Sequence, residues 1–266
     1  MRFIGAIRSQ FSLFTVIPVN VDAEDVDQLS HHFWLTPIIG LFYGVIAGGL
    51  FLLLTRVLDA LVAATLVILV MHGLNRFLHF DGLIDLGDGL IATGPHEKKM
   101  AAMKDTRVGA GGVGFGIMFT FLTIVSLSSV AQEGDYAIFF LPLAMEILGK
   151  NALVTVAALG TSREGLGSPF VRNARKGHAA LSAGLSFLLL SLFIPILYPW
   201  LGPYLVALIA LMVLASIVTG ALVAAKAHGS FGCVNGDVMG ATNELAKPAV
   251  LIVALLGVTL FLSMFS

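Results

Sequence analysis

Apolar residues run through this chain in long blocks, interrupted by short segments where charge and glycine collect. Blocks near residues 35–55, 57–78, 111–130, 137–160, 179–198, 203–226 and 248–265 are each long enough to cross a bilayer, which takes about 20 apolar residues. They are rich in Leu, Ile, Val and Ala, and lipid offers no partner to an unpaired backbone group, so each is expected to be a helix. The pattern predicts an all-α, polytopic membrane bundle of about seven transmembrane helices, built as one domain over residues 1–266. The first two blocks meet at "TRVLD" and the fifth and sixth at "YPWLGPY", whose tryptophan and tyrosines are of the interfacial type. The N-terminal stretch is different: Phe3, Ile4, Ile7, Phe11 and Phe14 share one helical face, with Arg2 and Arg8 elsewhere. That pattern predicts an amphipathic helix lying on the membrane; a short helix buried against the bundle fits it equally well. The stretch has neither the continuous apolar core nor the small-residue cleavage site of a signal peptide.

Composition strengthens this picture. The chain is 58% hydrophobic and 12% charged, whereas a soluble domain carries about a quarter charged residues. Its net charge of -1 says little; the placement of the charges says more. Lys98, Lys99, Lys104 and Arg107 follow the second block, with Arg76 at its edge. Arg163, Arg172, Arg175 and Lys176 follow the fourth, and Lys226 and Lys247 the sixth. The opposite loops hold Arg56 alone, and "AQEGDY" carries only acids. The positive-inside rule then predicts a cytoplasmic N-terminus and puts every segment rich in acid and glycine at the cytoplasmic face of the cell membrane. A single cysteine, Cys233, excludes an internal disulfide.

The densest of those segments is "HFDGLIDLGDGL", residues 79–90. On a helix, steps of about 100° bring Asp81, Asp85 and Asp88 within roughly 60° of one another. Three carboxylates on one stripe repel, most strongly at low dielectric, so a cation is expected among them. Oxygen ligands with room for water suit Mg²⁺ or Mn²⁺, above all when a phosphate completes the coordination. A solvated acidic face would account for the charges but not for Gly82, Gly87 and Gly89, which allow close approach of a backbone or ligand. A second segment, "NGDVMGATNEL" (235–245), echoes the first, since Asp237 and Glu244 repeat the seven-residue separation of Asp81 and Asp88.

Between them lies "MKDTRVGAGGVGFG", residues 103–116. Lys104 and Arg107 are candidate phosphate ligands, the arginine a bidentate one. Its glycines could offer amides to an anion, but close packing of a membrane helix explains them better. Neither a Walker motif nor a Rossmann fingerprint is present. His79 precedes the acidic stripe but points off its face, so it reads as a satisfied neighbour. Cys233 reads as a small apolar residue and not as a nucleophile.

These three segments, together with "FSLFTVIPV" near the N-terminus, resemble the signature segments of the cobalamin synthase family, the adenosylcobinamide-GDP ribazoletransferases. The resemblance extends over nearly the whole chain, in order and with similar spacing. It implies Mg²⁺-dependent joining of α-ribazole, or its 5′-phosphate, to the GDP-activated corrinoid, with release of GMP. The expected partners are those two substrates and the lipid bilayer, and not nucleic acid; the number of copies in an assembly is left open. In that reading Asp81, Asp85 and Asp88 hold one or two Mg²⁺ ions, and Asp237 and Glu244 complete the metal site or orient the ribazole. Lys104, Arg107 and Arg76 bind phosphates. Asp81 and Asp105 are the candidate catalytic carboxylates, with the choice of base open.

Two rivals are weaker. A CDP-alcohol phosphotransferase would place an Ala-Arg pair where Asp85 and Leu86 follow "DGLI". An ion-coupled transporter would carry its carboxylates near the bilayer midplane, whereas these lie at block ends beside basic residues.

Overall fold

A computed structural model describes residues 2–163, 165 and 167–263. Among these the regular structure is helical, apart from one isolated bridge between Ser162 and Val234. The helices are α1 (Arg2–Phe14), α2 (Ala23–His31), α3 (Pro37–Leu54), α4 (Ala60–Leu74), α5 (Leu78–Ile91), α6 (His96–Met103) and α7 (Ala110–Val130). They continue with α8 (Asp135–Leu159), α9 (Ser168–Asn173), α10 (Lys176–Ser191), α11 (Ile194–Leu201), α12 (Tyr204–Phe231) and α13 (Gly236–Ser263).

The polytopic bundle is present, with the spans distributed differently from the sequence expectation. Phe33–Leu54, which includes a 3-10 turn before α3, and Ala110–Val130, Asp135–Leu159, Tyr204–Phe231 and Gly236–Leu260 are long and apolar enough to cross a membrane. α4 and α5 qualify only as a pair, bent by 95°. The block expected at 179–198 is split into α10 and α11, each under the 18 residues of a span. Pro195 opens α11 and Pro199 lies within it, and neither can donate a helical hydrogen bond. The last span begins at Gly236 and not at 248, so the second acidic segment forms about the first three turns of a membrane helix.

α8 is the central post: every residue from Phe140 to Ala158 is buried. α3 lies against it through Gly40 and Gly44, four residues apart on one face. A Cβ on Gly40 would come within 2.8 Å of the Ile147 Cα, and one on Gly44 within 2.7 Å of the Leu143 carbonyl oxygen. Small residues at that spacing let membrane helices approach backbone to backbone. α1 reconciles both readings of its sequence. Phe3 and Ile4 are exposed, as an interfacial helix requires, while Phe14 is buried and its carbonyl accepts a hydrogen bond from the Tyr43 hydroxyl.

The bend between α4 and α5 is set by Arg76 (φ 56°) and Phe77 (φ 58°), two consecutive non-glycine residues in the left-handed region. Such a conformation costs roughly 1–2 kcal/mol per residue and persists only where its surroundings enforce it. Here the Phe77 N–H donates to the His72 carbonyl (2.8 Å), and the Arg76 guanidinium donates to the Ser12 and Leu13 carbonyls of α1 (3.3 and 3.4 Å). The bend turns α5 under the bundle and aims its aspartates at α13 and α7. Arg56 pairs with Asp135 (2.6 Å) where the α3–α4 and α7–α8 loops meet, at the opposite end from the acidic segments.

Candidate active site

The acidic stripe of α5 meets the acidic start of α13 where the two backbones touch. A Cβ on Gly82 would lie 2.7 Å from the Asp237 carbonyl oxygen and 3.1 Å from its Cα; one on Gly240 would lie 3.2 Å from the His79 Cα. Only glycines allow this crossing, and it sets Asp81 and Asp237 on one cavity. Asp85 sits within the field of Asp81, Asp237 and Asp88. Among the described residues, none of these four carboxylates forms an ion pair. Lys104 is the cation whose field reaches Asp237, and Asn235 Nδ2 donates to the Asp237 carboxylate at 2.9 Å.

Asp88 has a structural duty of its own. Its two oxygens accept the N–H groups of Gly109 (2.7 Å) and Gly112 (2.8 Å), closing the open N-terminus of α7. A Cβ on Gly112 would stand 2.6 Å from Asp88 Oδ2 and 3.0 Å from the Ile84 carbonyl. Gly109, Gly111, Gly112 and Gly116 are therefore packing residues, and the amides of Gly109 and Gly112 are held by a carboxylate of this chain.

Glu244 does not join the cluster. It is buried and pairs with Lys247 Nζ (3.0 Å), which also reaches Glu146 (3.2 Å); the lysine itself is 1% exposed. Lys150 Nζ donates to Asn243 Oδ1 at 2.7 Å beside them. Lys247 is thus an internal ion-pair partner and not a loop cation. The seven-residue spacing of Asp237 and Glu244 does put both on α13, but two helical turns carry the glutamate into the bundle interior. Glu146 and Lys150 escaped the sequence reading, although ionisable residues four apart in an apolar block are a signal for such an internal network.

The basic candidates divide as well. Lys104 lines an open cavity of ≈ 670 Å³ with Arg163, Glu97, Met100, Cys233 and Asn235. Asn235 joins this basic cavity to the carboxylates, because the same side chain bonds Asp237. Arg163 belongs to the basic loop 161–178, whose charges suit an anionic substrate or lipid headgroups, but sequence spacing does not show its place beside Lys104. Arg107 is tied back to Asp105, its Nε and Nη2 donating at 3.2 and 3.0 Å. Those hydrogen bonds hold the Asp105 carboxyl below the usual carboxylate range, which makes it a poor proton acceptor. Asp105 and Arg107 are satisfied by each other at the surface, and Arg76 is spent on tethering α1. Burial pushes the Cys233 thiol up, away from nucleophilic use.

Among the described residues, no three His, Cys, Asp or Glu side chains are gathered so as to hold a metal by themselves. The donor chemistry still fits a hard divalent cation. Mg²⁺ keeps several waters and takes one or two carboxylates plus substrate phosphates, and unpaired carboxylates joined through Asn235 to a cavity lined by Lys104 and Arg163 suit that set.

The chain is similar to known proteins over nearly its whole length. The family model described as cobalamin-5-phosphate synthase matches residues 6–255. A protein of Methanosarcina barkeri named adenosylcobinamide-GDP ribazoletransferase is 31% identical, over 94% of this chain and 91% of its own. Proteins of the same name from Methanosarcina mazei (30%, over 98% and 95%) and Methanocella arvoryzae (32%, over 94% and 95%) are similar to it throughout. No solved structure matches the chain.

Proposed function

The chain belongs to the cobalamin-5-phosphate synthase family, and from that premise we propose how its two cavities and the carboxylates between them carry out the transfer. The activity is that of an adenosylcobinamide-GDP ribazoletransferase, the last joining step of cobalamin synthesis, in a multi-pass membrane protein. The single observation that carries the mechanism is that Asp81 and Asp237, from different helices, border one cavity while Asn235 links Asp237 to the basic one.

The pyrophosphate of the activated corrinoid binds over Lys104 and Arg163, whose charges offset its own. Asp81, Asp85 and Asp237 would hold Mg²⁺ arriving with that pyrophosphate. When bound, the ion supplies charge stabilisation at the transferring phosphate and the departing GMP. Asp88, fixed by α7, keeps the stripe in register. The acceptor ribose hydroxyl forms a new bond to the corrinoid-side phosphorus, the bridging P–O bond breaks, and GMP departs with that bond's electron pair. Asp81, the exposed member whose carboxylate has no hydrogen-bond partner among the described residues, takes the hydroxyl proton.

Lys98, Lys99, Lys104, Arg107, Arg163, Arg172 and Arg175 lie in the segments that join the spans at this end of the bundle, which supports a cytoplasmic active site by the positive-inside rule. GMP release from adenosylcobinamide-GDP in proteoliposomes tests the proposal. It should require both α-ribazole and Mg²⁺ and cease on chelation; release independent of the metal would refute the metal assignment.

A further inference from the structure

The cavity shared by Asp81 and Asp237 has walls of a different chemistry on its other sides. Phe14, Phe33 and Phe170 line it, together with His79, and its volume is ≈ 200 Å³. An apolar cavity of about 150 Å³ takes a benzene ring, whereas sites for drug-sized ligands run about 300–1,000 Å³. This one is suited to a single fused heteroaromatic ring and is far too small for a corrinoid.

His79 adds a directional element. It is 2% exposed, and its Nε2 is a buried nitrogen without a hydrogen-bond partner. Buried polar groups of that kind are rare and call for an explanation. Nδ1 stands 3.2 Å from Asn75 Nδ2, an amide donor, and 4.0 Å from Glu244 Oε1, beyond hydrogen-bond length. With Nδ1 accepting from Asn75, the proton of the neutral ring is on Nε2. His79 is thus one wall of a ring-sized cavity that ends on the reacting carboxylates, and it carries an unused N–H donor.

We propose that this cavity is the slot for the base of the acceptor nucleoside. The three phenylalanines enclose the flat ring, and His79 Nε2–H donates to the ring nitrogen that does not carry the ribose. Seating the base there brings the ribose hydroxyl to Asp81 and Asp237. The inference rests on the transferase reading for the identity of the acceptor.

The test uses the full chain in proteoliposomes and compares α-ribazole with the matching indole nucleoside, in which that ring nitrogen is replaced by C–H. His79→Ala should raise KM for α-ribazole about ten-fold, the scale of one lost hydrogen bond. It should leave KM for the indole nucleoside and for the activated corrinoid nearly unchanged. An equal penalty on both nucleosides, or a rise confined to the corrinoid, overturns the proposal. Phe170→Ala, a change on a short helix outside the spans, gives an independent reading should His79→Ala misfold. It should relax discrimination against a nucleoside with a larger tricyclic base about five-fold or more; unchanged discrimination overturns the slot. A wild-type protein that releases no GMP with any nucleoside would refute the transferase reading, whereas turnover with insensitive variants refutes the slot alone.

Discussion

At the scale of single residues, the structure separates carboxylates and cations that sequence spacing groups together. Asp81→Asn, Asp85→Asn and Asp237→Asn should each lower kcat/KM about 100-fold or more, with folding preserved, as expected for loss of a metal-orienting or proton-accepting carboxylate. Steady-state GMP release against a folding control checks this. Arg163→Ala and Lys104→Ala should raise KM for the activated corrinoid, about ten-fold each, because a charge-assisted phosphate contact is lost. Arg107→Ala should change it less than about two-fold, since its guanidinium is held by Asp105 at the surface. Equal effects for Arg107 and Arg163 would contradict the assignment. The acidic stripe was legible because helical period alone places Asp81, Asp85 and Asp88 together. Arg163 was not, because its place beside Lys104 depends on the loop folding back over the cavity, and local spacing holds no trace of that. Nor could spacing say that Glu244 turns inward to Lys247.

At the scale of elements, two close helix contacts decide the site. α5 meets α13 at Gly82, where an added Cβ would lie 2.7 Å from a backbone oxygen. Neither helix can yield there without separating Asp81 from Asp237. Gly82→Val should therefore destabilise the fold by about 1–3 kcal/mol and also abolish turnover, read out by thermal unfolding in detergent and by GMP release. Asp88→Ala acts differently. It strips two N–H partners from the start of α7, costing about 0.5–2 kcal/mol as the loss of a helix cap does, and disturbs the site only through the register of α5. The apolar blocks predicted most of these helices well, because their length leaves lipid-spanning helix as the sole solution. The 95° bend after α4 was not readable, since nothing in "LNRFLH" announces two left-handed residues. The break in the 179–198 block carried its signal in Pro195 and Pro199.

For the molecule as a whole, the reacting groups gather at one end of a bundle whose interior is itself charged. Glu146 and Glu244 both pair with Lys247, linking α8 to α13, with Lys150 and Asn243 alongside. Removing one partner of a buried pair costs about 3–5 kcal/mol, because it leaves the others uncompensated. Lys247→Met should thus destabilise the protein far more than Lys226→Met, whose lysine is exposed. That network ties α13 to the central helix and so fixes where Asp237 meets α5. The claim on which all else depends is that α5 and α13 together hold a divalent cation. Mn²⁺ titration of the full-length protein with its GDP-activated substrate, followed by electron paramagnetic resonance, measures this without reference to turnover. Wild-type protein should bind the ion, and both Asp81→Asn and Asp237→Asn should weaken it by about 10–100-fold. Unchanged Mn²⁺ affinity in the two folded variants would contradict the account.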